Sequence, residues 1–379
     1  MVAMKIIVLR RLNLNIFLIA GTLALTGCST MVADAIRAQT ALYTVQHTIN
    51  PTFTTTVIPP EPQATPTFRP SVTPKPIATL QPTPTYTPEP YAEYRIENLA
   101  SRSYDGGQLR VVNRMSENSY FIRDLISYQS DGLRIYGFMN VPKRGTPPFP
   151  VIIAVHGYID PAIYNTLDYT TRYADALARS GYLVIHPNLR GYPPSDSGDN
   201  FFRVGMAIDV LNLIALVKSK GGQPGPLELA DPNSIGVWGH SMGGGISLRA
   251  ITVNPEIKAA VLYGSMSGDE RENYERIFTY FSNGERGWEE LLVPEDVTRL
   301  ISPINYLDRI QAAVSIHHGE NDPDVPLEWS LDLCQRLDAL GKQVECFTYT
   351  DEGHTFNGEG DTLFMQRMIR FYDRVLKSK

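Results

Sequence analysis

The chain has 379 residues, of which 43% are hydrophobic and 20% are charged, so it carries enough apolar residues to bury a globular core. Its formal net charge of −6 gives no broad positive field, which argues against a nucleic acid or an anionic membrane surface as the main partner. Any contact with a membrane must therefore come from a separate segment of the chain.

The N-terminus is typical of a bacterial lipoprotein signal. Basic residues precede an apolar run, residues 14–25, which is too short to span a bilayer as a mature helix. The run ends in the motif L-T-G-C at Cys28. We expect cleavage before Cys28, with residues 1–27 as the signal peptide, and acylation of the thiol, which would anchor the protein on the outer side of the bacterial cell membrane. The alternatives are an uncleaved membrane segment and an ordinary signal with a chance cysteine.

The next two segments are predicted to separate this membrane attachment from a folded domain. Residues 28–50 form an N-terminal tether, and residues 51–90 are rich in proline and threonine. Proline removes amide donors and favours polyproline II, so the second segment is predicted to be a semi-rigid spacer with a reach of about 3 Å per residue.

Residues 91–379 alternate short β-branched runs with longer amphipathic segments, which predicts an α/β fold: a mostly parallel twisted sheet with helices on both faces. Residues 150–155 are apolar at every position, as expected of a strand buried on both faces. Further predicted strands are 133–141, 182–186, 234–238, 258–263, 312–317 and 343–349, and the predicted helices are 168–180, 204–218, 243–253, 327–340 and 362–377.

Between residues 265 and 304 this alternation stops. The segment is rich in charged and aromatic residues, and we expect a short helical insertion there that acts as a lid, although a helical pair on the surface would give the same pattern. The aromatic residues are Tyr274, Phe278, Tyr280, Phe281 and Trp288.

A G-x-S-x-G motif, residues 239–243, lies between a predicted strand and a predicted helix, which is the context of a nucleophile elbow. The glycines allow a sharp turn that exposes Ser241, the predicted nucleophile. The helix that follows places amide donors near a forming oxyanion, and the N–H of Met242 is predicted to be one of them.

A serine hydroxyl needs a base to take its proton, and in this kind of fold the acid and the base follow the serine in chain order. His354 is the histidine that follows the last predicted strand, so it is the predicted base. The acid is expected in the loop after strand 312–317, where three carboxylates compete. Spacing favours Asp322, with Asp324 as the main alternative and Glu320 as a weaker one.

The second oxyanion donor is expected in the loop after strand 150–155, which begins with residues 156–158. We assign it to the backbone N–H of Tyr158, whose phenol would contact the substrate or pack against the lid. Arg190 is predicted to brace its own loop rather than to bind substrate.

Several motifs occur together and in order: S-D-G-L at 130–133, the His-Gly turn at 156–157, the serine elbow, H-G-x-x-D-x-x-V-P at 318–326 and D-E-G-H at 351–354. In these motifs residues 131–356 resemble the catalytic domain of the prolyl oligopeptidase family of serine peptidases, which has the α/β-hydrolase fold. The resemblance implies a triad of Ser241, Asp322 and His354.

The resemblance also has gaps that bear on the substrate. Family members with firm peptidase character carry a β-propeller before the catalytic domain, whereas here a spacer and about 40 residues take its place. The expected activity is therefore hydrolysis of short peptides or esters through an acyl-enzyme, with a carboxylesterase as the alternative and a non-catalytic binding lipoprotein as a second one. No ligand cluster or dinucleotide fingerprint points to a metal or an organic cofactor.

Two cysteines remain, Cys334 and Cys346, on a predicted helix and on the strand after it. The compartment implied by the signal permits a disulfide between them. Free buried thiols are the favoured expectation.

Overall fold

The computed structural model of the protein describes residues 89–377, which fall within one unit, Pro84–Lys379. The predicted signal peptide, Cys28, the tether and residues 51–88 of the predicted spacer lie outside the described residues. In the part that is described, no helix has both the length and the apolar character needed to cross a membrane.

A nine-stranded mixed sheet is the centre of the fold. Its strands are β1 (Arg110–Glu117), β2 (Phe121–Ser130), β3 (Leu133–Pro142), β4 (Phe149–Val155), β5 (Leu183–Pro187), β6 (Ala230–His240), β7 (Ala259–Tyr263), β8 (Ala313–Gly319) and β9 (Val344–Tyr349). They follow the order β1-β2-β3-β5-β4-β6-β7-β8-β9. The pairs from β1 to β5 are antiparallel, and those from β5 to β9 are parallel. Because the carboxyl ends of parallel strands meet at one edge, the loops after β4, β6, β8 and β9 lie close together.

Helices cover both faces of the sheet, as the sequence predicts. One face packs against α3 and α4 and the other against α2 and α9, which gives two hydrophobic cores. The α-helices of the described residues are α1 (Ile96–Ser101), α2 (Thr171–Arg179), α3 (Val204–Lys220), α4 (Met242–Val253), α5 (Glu270–Arg276), α6 (Trp288–Leu291), α7 (Glu295–Ile301), α8 (Leu327–Ala339) and α9 (Gly358–Leu376).

The local sequence explains which helices lie between layers and which face solvent. Helix α3 is apolar around most of its circumference and is buried along nearly its whole length. Helix α9 buries Phe364, Met368, Phe371 and Tyr372, a stripe at helical spacing, and exposes its charged face.

The predicted helical insertion, residues 265–304, contains α5, α6 and α7 together with a π-helical turn at Ile277–Phe281. A buried ion-pair group attaches it to the main domain. Both oxygens of Glu270 accept hydrogen bonds, one from Arg249 on α4 and one from Arg203 in the turn before α3, each at 2.5 Å. Removal of Glu270 would leave two buried arginines without their carboxylate, which is costly, so this group attaches the insertion at this end.

The expectation of free buried thiols at Cys334 and Cys346 is wrong, because the two residues form a disulfide with their Cα atoms 6.4 Å apart. Helix α8 ends in a tight turn, where Gly341 has a φ of 66°, and β9 then runs back beside the helix. The turn brings two half-buried positions on adjacent elements within bridging distance.

Candidate active site

Ser241 lies at the sharp turn between β6 and α4, with φ 56° and ψ −120°, a conformation that non-glycine residues rarely adopt. The turn has no room for a side chain two residues before or two residues after the serine. A Cβ on Gly243 would lie 2.2 Å from the carbonyl oxygen of Val155, and one on Gly239 would lie 2.2 Å from that of Gly243. The glycines of the motif are therefore a steric requirement of the elbow.

His354 and Asp322, which the sequence places 32 residues apart, are in direct contact. Nδ1 of His354 lies 2.8 Å from Oδ2 of Asp322. The other carboxylate oxygen accepts the N–H groups of Asp324 and Val325, and Nε2 of His318 lies 3.2 Å from Oδ2. Burial alone would raise the pKa of Asp322, but these hydrogen bonds, led by those from His318 and His354, hold it well below its usual range. Asp322 is therefore ionised at neutral pH.

The other two carboxylates of this loop have different positions. Asp324 lines the cavity described below, whereas exposed Glu320 accepts a hydrogen bond from the Thr348 hydroxyl at 2.8 Å. Ligand atoms of Asp322, Asp324 and His354 lie within 4.8 Å of one another, the one group in the described part of the chain with metal-ligand spacing. Because Asp322 and His354 already bond each other there, this group belongs to the candidate active site.

Ser241 and His354 line the same cavity, which has a volume of about 440 Å³. Tyr158 and Met242, the predicted oxyanion residues, line it too. Aromatic and aliphatic side chains form most of the remaining wall, and several of them belong to the insertion: Tyr274, Ile277 and Phe281. The structure thus brings four predicted site residues to one cavity that the insertion helps to enclose, and the fifth, Asp322, lies behind His354.

The two predicted oxyanion residues both lie near the serine. Met242 is the first residue of α4, where amides have no partner within the helix and the helix dipole is positive. The Tyr158 loop passes close to the nucleophile, since a Cβ on Gly157 would lie 3.1 Å from the Cβ of Ser241. The guanidinium of Arg286, from the insertion, lies 4.7 Å from the centre of the half-exposed Tyr158 ring.

Arg190 braces its loop, as predicted. Its guanidinium pairs with buried Asp209 at 2.8 Å and donates to the carbonyl of Asp199, also at 2.8 Å. It lines the cavity as well, but its hydrogen-bond donors are directed into the protein.

Two further residues of the site are not identifiable from the sequence motifs. Arg276 on α5 donates to the carbonyl oxygens of Pro323 and Asp324, each at 2.7 Å, and so connects the insertion to the loop that carries Asp322. His240, the variable position of the elbow motif, contacts the backbone of His354. Neither role has a local signal, because each depends on a partner many residues away.

Comparisons with known proteins agree with this geometry. The model of the prolyl oligopeptidase family matches residues 225–379, and that of a serine aminopeptidase family, S33, matches residues 146–294. The chain is a serine hydrolase. The predicted resemblance to the prolyl oligopeptidase family is confirmed.

The hydrolase is also similar to individual proteins, at low identity. A putative carboxymethylenebutenolidase of Escherichia coli K12 is 24% identical over 249 residues, which are 62% of this chain and 77% of the relative. A puromycin-hydrolysing peptidase of Mycobacterium tuberculosis superposes with a TM-score of 0.57 and 21% identity, and an acetyl xylan esterase of Thermoanaerobacterium with 0.55 and 20%. The match to the peptidase covers 69% of the hydrolase and 41% of the peptidase. The match to the esterase covers 75% of the hydrolase and 94% of the esterase. The structural neighbours confirm the α/β-hydrolase fold.

Proposed function

We propose that this hydrolase cleaves small esters or short peptides through an acyl-enzyme, with Ser241 as nucleophile, His354 as general base and Asp322 as the acid that orients it. The contact of 2.8 Å between His354 and Asp322, beside a cavity that Ser241 also lines, is the observation that carries the proposal. In the first step His354 takes the hydroxyl proton while Ser241 attacks the carbonyl carbon.

The tetrahedral intermediate then collapses, and His354 returns the proton to the leaving alcohol or amine. His354 then takes a proton from water, which attacks the acyl-enzyme and releases the carboxylic acid product from Ser241. The amides of Met242 and Tyr158 hold the oxyanion in both steps. Asp322 stays ionised and stabilises the imidazolium that forms on His354. Every proton moves between protein groups, substrate and water, so the reaction requires no metal or organic cofactor.

The cavity favours a small substrate. Its volume of about 440 Å³ is in the range of sites for small molecules, and the insertion forms part of its wall. The named proteins act on both substrate classes, and both classes include proteins that the chain matches over nearly their whole length. The match spans 94% of the acetyl xylan esterase and 93% of an uncharacterised peptidase of Bacillus subtilis.

The proposed mechanism is tested by labelling with a fluorophosphonate, which reacts with activated serines. We expect the wild type to be labelled and Ser241→Ala to remain unlabelled, with both variants equally folded by circular dichroism. Equal labelling of the two would refute Ser241 as the nucleophile, and absence of labelling in a folded wild type would favour the non-catalytic alternative.

The substrate class is tested with matched acyl groups presented as nitrophenyl esters and as nitroanilides of short peptides. We expect turnover of short-chain esters. Hydrolysis of the amides at a comparable kcat/KM would assign peptidase activity, and hydrolysis of the esters alone would assign a carboxylesterase.

We also propose that lipidated Cys28 holds the enzyme on the outer side of the bacterial cell membrane, with residues 51–90 as a spacer. The disulfide between Cys334 and Cys346 supports an oxidising compartment, since such bonds are rare in the cytosol. In a bacterial host, wild-type protein should be found in the membrane fraction and be released from it by detergent. The Cys28→Ala variant should not be found in the membrane fraction. Soluble wild-type protein would contradict the anchor.

A further inference from the structure

The imidazole of His240 is held between two partners next to the nucleophile. Its side chain is 2% exposed, Nε2 lies 2.7 Å from the carbonyl oxygen of His354, and Nδ1 lies 2.5 Å from the hydroxyl of Tyr169. One residue of the elbow motif thus connects the serine turn to the backbone of the predicted base.

The chemistry of the partners assigns a direction to each hydrogen bond. Burial lowers the pKa of His240 to about 3, so the ring is neutral at neutral pH. A carbonyl oxygen can only accept a hydrogen bond, so the single ring proton of His240 lies on Nε2. There it forms a hydrogen bond to the backbone carbonyl oxygen of His354. Nδ1 must then accept from Tyr169, whose phenol keeps its proton because burial raises its pKa. Tyr169 also lies against the loop of the predicted oxyanion donor, since a Cβ on Gly157 would lie 2.1 Å from the Tyr169 oxygen.

Ring stacking fixes the plane of the same imidazole. The His240 ring stacks on Tyr263 at 4.1 Å and lies 4.5 Å from the ring of His354. The hydroxyl of Tyr263 accepts the N–H of Phe356, two residues after the base. The loop that carries His354 is therefore held at its own carbonyl by His240 and just beyond it by Tyr263.

We propose that His240 is a positioning residue for the reaction: through its bond to the His354 carbonyl, with Tyr169 fixing its tautomer, it sets where the imidazole of the base stands relative to Ser241. The inference rests on the proposed function. Asp322 holds the imidazole of His354 at Nδ1 and His240 holds its backbone, so the base is constrained at both ends.

The central test replaces His240 in two ways and measures kcat and KM on a nitrophenyl ester. Phenylalanine keeps an aromatic ring for stacking but has no donor, so His240→Phe should lower kcat by on the order of 10- to 100-fold and leave KM within about twofold. Glutamine can place an amide N–H near the position of Nε2, so His240→Gln should recover most of that loss.

His317 provides the matched control. It is a fully buried histidine on the next strand but one, its pKa is also lowered to about 3 by burial, and its nitrogens contact Tyr349 and Ser315 instead of the site. His317→Phe should lower the melting temperature comparably yet keep kcat within about twofold of wild type, as expected of a variant that moves no reacting group. Equal kcat losses in the two phenylalanine variants would overturn the inference.

Tyr169→Phe serves where His240→Phe does not fold. Without the Tyr169 hydroxyl the tautomer of His240 is no longer fixed, so kcat should fall by about 3- to 10-fold. The double variant, with both Tyr169→Phe and His240→Phe, should have a kcat no lower than that of His240→Phe alone. Both substitutions act through the same hydrogen bond, from His240 to the carbonyl of His354. Wild-type kcat in folded His240→Phe or Tyr169→Phe, or no recovery in His240→Gln, would refute the positioning role. If instead Ser241→Ala retained full activity, the proposed function itself would fail.

Discussion

At the scale of single residues, the surroundings of His354 distinguish two carboxylates that are neighbours in the sequence. Asp322 bonds Nδ1 of His354, whereas Asp324 contributes its backbone N–H to Asp322 and its side chain to the cavity wall. We expect Asp322→Asn to lower kcat/KM by on the order of 10³- to 10⁴-fold, because an amide supports the wrong tautomer of the base.

Asp324→Asn is the matched comparison, since it neutralises a carboxylate of the same loop. Its loss should stay below about tenfold, as expected of a carboxylate that lies near the base but makes no hydrogen bond to it. Steady-state kinetics on one ester substrate compares the two variants, and a larger loss in Asp324→Asn would reverse the assignment.

The residues of the site differ in how far the sequence could predict them. Ser241 lies in a motif whose glycines have a local steric cause, and His354 follows from chain order and from its place after the last strand. Asp322 followed only from spacing within a loop of three carboxylates. His240 and Arg276 could not be predicted, because their partners are 114 and 47 to 48 residues away and no local pattern encodes such contacts.

At the scale of elements, the side chain of Arg276 connects the insertion to the loop of the predicted acid. Arg276 on α5 donates to the carbonyls of Pro323 and Asp324, and Arg276→Ala would release the loop that holds Asp322. We expect kcat/KM to fall by on the order of tenfold with little change in melting temperature, since loss of positioning costs rate more than stability.

Arg271→Ala is the control for Arg276→Ala, because it removes the same positive charge from the same helix. Arg271 pairs with Glu275 at 3.1 Å and contacts Leu291, both within the insertion. Arg271→Ala should leave kcat/KM within about twofold of wild type, as expected of a surface ion pair remote from the reacting groups. Equal activity in the two variants would show that the insertion does not position the acid.

Strand prediction followed the apolar runs of the sequence. Strands β4 to β8 are buried along most of their length because both faces of the sheet are covered, and each was predicted within a few residues. Strand β3 and the half-buried β9 were predicted equally well. Strands β1 and β2 were missed. The side chains of β1 are almost all exposed, and β2 buries Arg123 against Asn140 and Asp175, so neither shows a clear apolar period.

At the scale of the whole molecule, neutral histidines are enclosed in the core near the active-site edge of the sheet. Burial lowers the pKa of His240 and His317 to about 3 and that of His186 well below its usual value. In the unfolded chain these side chains would titrate near pH 6.5. As the pH falls below that value, the unfolded chain binds protons that the folded protein does not, so stability must decrease on acidification.

The dependence of stability on pH is set by how many more protons the unfolded chain binds than the folded protein, and one variant is enough to measure it. Each such histidine adds a slope of up to about 1.4 kcal/mol per pH unit between roughly pH 6.5 and pH 4. His317→Gln removes one titrating group whose ring nitrogens contact Ser315 and Tyr349 rather than a catalytic residue. The free energy of unfolding of this variant should therefore depend less steeply on pH than that of wild type, by up to one proton. Asp322 does not affect the comparison. Because its pKa is lowered in the folded protein, its protonation reduces stability only below about pH 4. Urea unfolding of both proteins at pH 7.5, 6.5, 5.5 and 4.5 gives the two slopes, and parallel curves would mean that His317 is protonated in the folded protein.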